Sequence, residues 1–376
     1  MILRTFGWSF VVTVVGLLIA LLYGNATGLA LVAVLAVLEI SLSFDNAVVN
    51  AKVLDRMSEF WQKIFLTVGI AIAVFGMRLV FPLLIVGITA KLNPVEAVDL
   101  ALNDSHRYHE LMNDAYPMIA AFGGMFLMML FLDFVFEERA EKWLPWLEKP
   151  LARIGKLDQL AVVVAGGSLA FVAWLSADDP GNVMIAGVLG MVTYILVNGL
   201  GELFSEAGDD EDDEDGDEDG AEGAERGSSG RSGPSPLALA TGKAGFFLFL
   251  YLEVLDASFS FDGVIGAFAI STDPIIIALG LGIGAMYIRS LTVFLVRKGT
   301  LHEYVYLEHG AHWAIGALAV CMLVSIGHHV PEWITGGLGA GLIIAAFVSS
   351  VVRNRGAGGG PAAEAGEDER LHAGKV

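Results

Sequence analysis

Sulfur and charge are both scarce in this chain. A single cysteine, Cys321, stands among 376 residues, so neither a disulfide framework nor a thiolate metal site is available within one chain. Charged residues make up 17% of the sequence, against about a quarter in an average soluble domain. Soluble domains bury their apolar residues in runs of about 4 to 15, whereas apolar stretches of about 18 to 25 recur here along the whole length. Soluble enzymes and nucleic-acid-binding proteins are thereby excluded. No nucleophile and base occur at usable spacing, which argues against an intramembrane enzyme as well. The net charge of −20 is largely local, because residues 206 to 225 hold 13 of the 42 Asp and Glu.

What is present is a series of membrane spans. Apolar segments bounded by polar residues predict helices over 7–24, 29–50, 64–89, 116–136, 159–176, 183–204, 244–270, 274–296, 310–328 and 333–352, about ten in all for an all-α polytopic protein. Positively charged loops stay cytoplasmic during insertion. With the N-terminus inside, inner segments hold 18 of the 22 Lys and Arg; Lys91 and Arg107 lie outside, and Arg78 and Arg289 within spans. Both termini are therefore expected in the cytoplasm. Residues 205–236 open on an acidic run and close on a Gly/Ser/Pro run, the composition of a disordered cytoplasmic linker. The linker separates a first membrane half, 1–204, from a second, 237–352, and a Gly/Ala/Glu-rich tail, 353–376, reads like the linker.

The two halves repeat. Val37-Leu38-Glu39-Ile40-Ser41-Leu42-Ser43-Phe44-Asp45-Asn46 aligns without a gap over Val254-Leu255-Asp256-Ala257-Ser258-Phe259-Ser260-Phe261-Asp262-Gly263. The next span in each half carries one arginine, Arg78 or Arg289. Further on, His109-Glu110 precedes Gly123 by the spacing at which His302-Glu303 precedes Gly316. Each partner lies an odd number of spans from the other, which inverts the topology and predicts two inverted five-helix repeats with a site at their interface.

A charge at membrane depth costs at least about 2.5–3.5 kcal/mol on insertion scales, so it is rare unless paired or functional. Glu39, Asp45, Asp256 and Asp262, with Glu253 close by, are candidates to converge. On an unbroken helix Asp45 and Asp262 point roughly 120° away from Glu39 and Asp256, but the Ser-x-Ser-Phe-Asp pattern followed by Asn46 or Gly263 permits a local break in each half. Carboxylates, the hydroxyls of Ser43 and Ser260, the Asn46 amide and freed carbonyls suit a hard divalent cation such as Mn²⁺, Mg²⁺ or Ca²⁺. Structural salt bridges to Arg78 and Arg289 are the plainer account of the same residues. Acids outnumber bases in the spans, which leaves a surplus for a proton or a cation. His302, His309 and His312 near Glu308, and His106 and His109, read as interfacial hydrogen-bonding groups, and Asp133 as a charge near a helix end. Trp8, Trp61, Trp143, Trp146 and Trp333 read as interface anchors.

Through Glu39-x-x-x-Ser43-Phe44-Asp45-Asn46 and its repeat ending Ser260-Phe261-Asp262-Gly263, the sequence resembles the TerC-type integral membrane family associated with tellurium resistance, within it a branch carried as a domain of unknown function. The resemblance implies a transporter-like protein of the bacterial inner membrane in a family linked to manganese export. It carries the acidic motif onto Glu39, Asp45, Asn46, Asp256 and Asp262. The expectation is export of a divalent cation, Mn²⁺ foremost, with no resident cofactor. Glu253, Ser43 and Ser260 would support the ligands, and Arg78 and Arg289 would balance charge in the empty state. A non-transporting scaffold of a metal or tellurite stress-response complex, recruiting a cytoplasmic partner through the acidic linker, is the alternative.

Overall fold

The structure is a computed structural model and describes residues 2–157, 159–214, 242–271, 273–298, 303–328 and 330–357. No strand occurs among the described residues. The helices are α1 (Ile2–Leu42), α2 (Phe44–Asp55), α3 (Glu59–Ile64), α4 (Phe81–Thr89), α5 (Pro94–Asn103), α6 (Ser105–Phe136), α7 (Pro145–Ile154), α8 (Leu160–Ser176), α9 (Pro180–Glu214), α10 (Gly242–Ile270), α11 (Pro274–Lys298), α12 (Leu307–Ser325) and α13 (Glu332–Ala357). Among the described residues, 7 helices are long and apolar enough to cross a membrane; the chain is a multi-pass membrane protein. Outward faces are apolar, with Trp8, Leu22, Ile88, Trp174 and Trp333 exposed, as lipid contact requires.

Burial separates an inner set of spans from an outer set. Ser105–Phe136, Pro274–Arg297 and Leu307–Ser325 are 61% to 72% buried, whereas the other candidate spans are 17% to 33% buried. Buried Met125, Phe126 and Met129 of α6 pack with Ala311, Ile315 and Met322 of α12 in the largest apolar cluster.

α1 is a hairpin of two helical arms. Asn25 has φ 57° and ψ −155°, outside helical space, and the contacts reverse direction there. Before it, Ser9 reaches Met286 and Ser290, and Gly16 meets Ile283. After it, Leu35 meets Gly280 and Glu39 meets Gly284. The first arm thus runs antiparallel to α11 and the second parallel to it. α10 and the span beginning at α3 are likewise parallel, since Trp61 meets Gly245 and Gly69 meets Glu253.

The second arm of α1 stops at Leu42, and Ser43 (φ −98°, ψ 18°) separates it from α2. The Ser-x-Ser-Phe-Asp pattern therefore breaks its helix in the first half. The same pattern in the second half does not, because α10 runs unbroken through Ser258, Ser260 and Asp262. Between α3 and α4 the backbone passes through π-helical stretches, Phe65–Gly69 and Ile72–Val80. π-helical turns are uncommon and concentrate at functional sites. α9 extends to Glu214, so helix continues past residue 204 into the acidic run. The rest of the expected linker and the tail beyond Ala357 lie outside the described residues.

Candidate functional site

The buried charges of the bundle meet as ion pairs within each half, between one span and the next. Glu39, near the end of α1, is 1% exposed and accepts a hydrogen bond from Nη2 of Arg78. Ser43 Oγ, one helical turn on, donates to the same carboxylate oxygen at 3.1 Å. Arg78 also donates from Nη1 to the carbonyl of Ala73 at 2.5 Å, within the π-helical stretch that surrounds it. Gly263 of α10 and Gly284 of α11 both lie against the Glu39 side chain, closing the carboxylate off from solvent.

The second half repeats the pairing with different surroundings. Arg289 Nη2 donates to Asp256 Oδ2 at 3.1 Å and to the carbonyl of Gly69 at 3.4 Å. Its guanidinium carbon lies 3.8 Å from the centre of the Phe65 ring, a cation–π contact. Glu253 is the odd member. It is 5% exposed, lies 3.6 Å from Arg289 Nη2, and neither carboxylate oxygen accepts a hydrogen bond among the described residues. Gly69 is what admits it: a Cβ at position 69 would sit 2.6 Å from Glu253 Oε1, nearer than real side chains approach.

Among the described buried groups of the spans, Glu39, Glu253 and Asp256 face Arg78 and Arg289; Glu148, also buried, belongs to α7 outside the spans. One carboxylate is left over, and burying it ionised costs several kcal/mol unless a cation or proton accompanies it.

The two ion pairs are close but separate. Glu39 abuts Gly263, and Asp256 lies two turns earlier on α10, roughly 10 Å along the axis. Ser260, buried and with no hydrogen-bond partner for its hydroxyl, stands between them on the same face as Asp256. Asn46 is buried in the first turn of α2. No group of three or more His, Cys, Asp or Glu close enough to hold a metal exists among the described residues. The side chains of Asp45 and Asp262 lie outside the described residues, although both backbones are helical.

Asn50 is a buried polar residue that sequence reasoning missed. Neither its amide nitrogen nor its oxygen has a hydrogen-bond partner among the described residues. Its signal was the spacing Glu39, Ser43, Asn46, Asn50, a continuous polar stripe at steps of 4, 3 and 4. The Gly69 carbonyl and the Phe65 ring were also missed, since an apolar stretch gives no sign of a π-helical turn.

A cavity of 760 Å³ opens near the ends of α2 and α6 and the start of α12. Lys52, Arg56, Asp133, Arg139, Glu308 and Tyr251 line it. Lys52 and Arg139 pair with Glu308 at 2.9 and 3.2 Å, and Asp133 contributes to this wall near the end of its span. Val49, next to Asn50, and Tyr251, two residues before Glu253, also line the cavity. Described histidines near the span ends hydrogen-bond and stack. His309 shares a hydrogen bond with Glu148 at 3.2 Å, and His312 stacks on Phe134 with ring centres 3.7 Å apart. His109 bonds to Asn113 at 3.0 Å, and His302 lies outside the described residues.

Fold and site together define an all-helical multi-pass membrane protein with paired intramembrane acids and arginines. The chain belongs to the family described as a protein of unknown function, DUF475, which matches residues 44–357. This match corrects the TerC resemblance, for which no family match exists. The shared motif is short, and burying an acid one turn from a serine in a membrane helix places the same demands on unrelated chains. No curated protein and no solved structure matches the chain.

Proposed function

We propose that the protein is a transporter of the cytoplasmic membrane that moves a hard divalent cation past the buried carboxylates of two inverted repeats. The observation that carries this reading is the charge count within the spans: among the described residues, three buried acids face two buried arginines, which leaves one negative charge for a cation to match. In this arrangement each arginine occupies the place of the cation in the unloaded state. Cargo binding draws Glu39 and Asp256 away from Arg78 and Arg289, with Ser43, Ser260 and Asn46 supplying neutral oxygens.

Inverted repeats find support in the contacts. The second arm of α1 runs parallel to α11 as α10 runs parallel to the span from α3, and Glu39–Arg78 corresponds to Asp256–Arg289. The chamber beside Lys52, Arg56 and Arg139 lies at the end where basic residues concentrate, which favours loading from the cytoplasm and hence export. Oxygen ligands admit Mn²⁺, Mg²⁺ and Ca²⁺. With the tellurium-resistance family set aside, none of the three has priority.

The test is flux of each of these ions in proteoliposomes holding the full chain. Wild-type protein is expected to move one of them and Glu39→Gln to move none. Absence of flux for every ion with folded wild-type protein would overturn the reading and leave the scaffold alternative.

A further inference from the structure

The short helix α7 is held at one end of the bundle by its inner face. Glu148, 5% exposed, accepts hydrogen bonds from Trp313 Nε1 and the Trp143 amide at 3.1 Å each, and contacts His309 on the first turn of α12. Trp143 Nε1 donates to Ser349 Oγ on α13 at 3.2 Å. Gly155, just past the helix, packs so tightly on Phe136, the last residue of α6, that a Cβ there would overlap it. These anchors are the end of one span, the start of a second and the late turns of a third. α7 therefore lies at the level where the spans leave the bilayer.

Its outer face has no protein partner among the described residues and is of mixed character. Trp146 is 74% exposed and Ile154 50%. Lys149 and Arg153 are exposed among them. At about 100° per residue, Trp146, Lys149, Arg153 and Ile154 fall within roughly 140° of circumference, opposite Glu148 and Ala152. Bulky apolar groups that bury in the acyl boundary beside cations that reach the phosphate layer are the composition of an interfacial helix on an anionic membrane. A zwitterionic headgroup offers a phosphate but no net negative charge to draw Lys149 and Arg153, and a soluble anion has no use for Trp146 and Ile154.

We propose that the outer face of α7 is a binding surface for anionic phospholipid headgroups, with Lys149 and Arg153 on the phosphate and Trp146 and Ile154 in the acyl boundary. The assignment does not depend on the transport reading. It is tested by tryptophan quenching with brominated phosphatidylglycerol against brominated phosphatidylcholine in proteoliposomes of the full chain. The contribution of Trp146 is taken as the difference between wild type and Trp146→Phe. At low ionic strength, wild type is expected to favour phosphatidylglycerol at this position about 30-fold. Lys149→Gln with Arg153→Gln brings the ratio close to one, and Arg153→Gln alone falls between. Quenching of the remaining tryptophans, unchanged across the variants, shows that the fold is intact. Equal quenching by the two lipids in wild type, or a preference that survives the double substitution, would overturn the proposal.

Discussion

Arg289 donates to Asp256 at 3.1 Å, and Asp256 is the residue that the internal repeat sets over Glu39, itself bonded to Arg78. Each half thus satisfies its central acid with the lone arginine of its next span. The arginines differ in one respect. Arg78 serves a single buried carboxylate, whereas Arg289 lies beside Glu253 as well as Asp256.

Removal of Arg289 is expected to destabilise more than removal of the whole pair. Arg289→Gln strands two buried acids, a loss of about 3–5 kcal/mol of the kind seen when one partner of a buried pair is deleted. Arg289→Gln with Asp256→Asn leaves only Glu253 without its cation and recovers part of the loss. Thermal unfolding of the detergent-solubilised variants checks the order, and equal losses would mean that the pair is not a unit.

Gly69→Val is expected to abolish flux while the protein still inserts. The new side chain would sit where Glu253 Oε1 now lies, pushing Glu253 and Arg289 apart. Gly166→Val, at a glycine with open space around it, serves as the control and should transport at the wild-type rate in the same proteoliposome assay.

Docking of α7 should depend on pH through Glu148. Burial alone would raise its pKa, but hydrogen bonds from His309 and Trp313 outweigh burial and hold it below the ordinary carboxylate value of 4.5. A carboxylate whose folded pKa is depressed stabilises when ionised. The contribution is complete above the ordinary value and fades as pH falls through the depressed one. Amide exchange across residues 145–154 should therefore be slow and pH-independent, after correction for intrinsic rates, above the ordinary carboxylate value of 4.5, and accelerate as pH falls below it. Glu148→Gln should exchange faster at neutral pH.

Orientation is checked by labelling. After Cys321→Ser, Asp99→Cys on exposed α5 should react with membrane-impermeant thiol reagents in intact cells, and Glu138→Cys, between α6 and α7, should react only after permeabilisation. The reverse pattern would invert the topology drawn from the distribution of Lys and Arg.

Much of this architecture was legible because membrane insertion leaves a one-dimensional record. Long apolar runs and the lone arginines at 78 and 289 could be read from residue type alone. What escaped depends on packing. The pattern around Ser43 and that around Ser260 are nearly the same, yet only the first interrupts its helix. Local composition permits a break, and the surrounding helices decide whether one forms. The π-helical turn ending at Gly69 lies where Arg289 and Glu253 pack, on a stretch that reads as ordinary span. Acidic residues 209–214 were assigned to disorder by composition, yet they continue the helix of the span before them.

The family match begins at residue 44, the first residue of α2, and so omits the hairpin that carries Glu39. A shortened chain drawn to that boundary would keep Arg78 and remove the carboxylate that holds it, leaving a buried guanidinium in an apolar bundle. It would also strip from α11 the two arms that flank it. The hairpin is therefore an integral wall of the site rather than a detachable leader, and any shortened form meant to retain the bundle has to include it from the first arm onward.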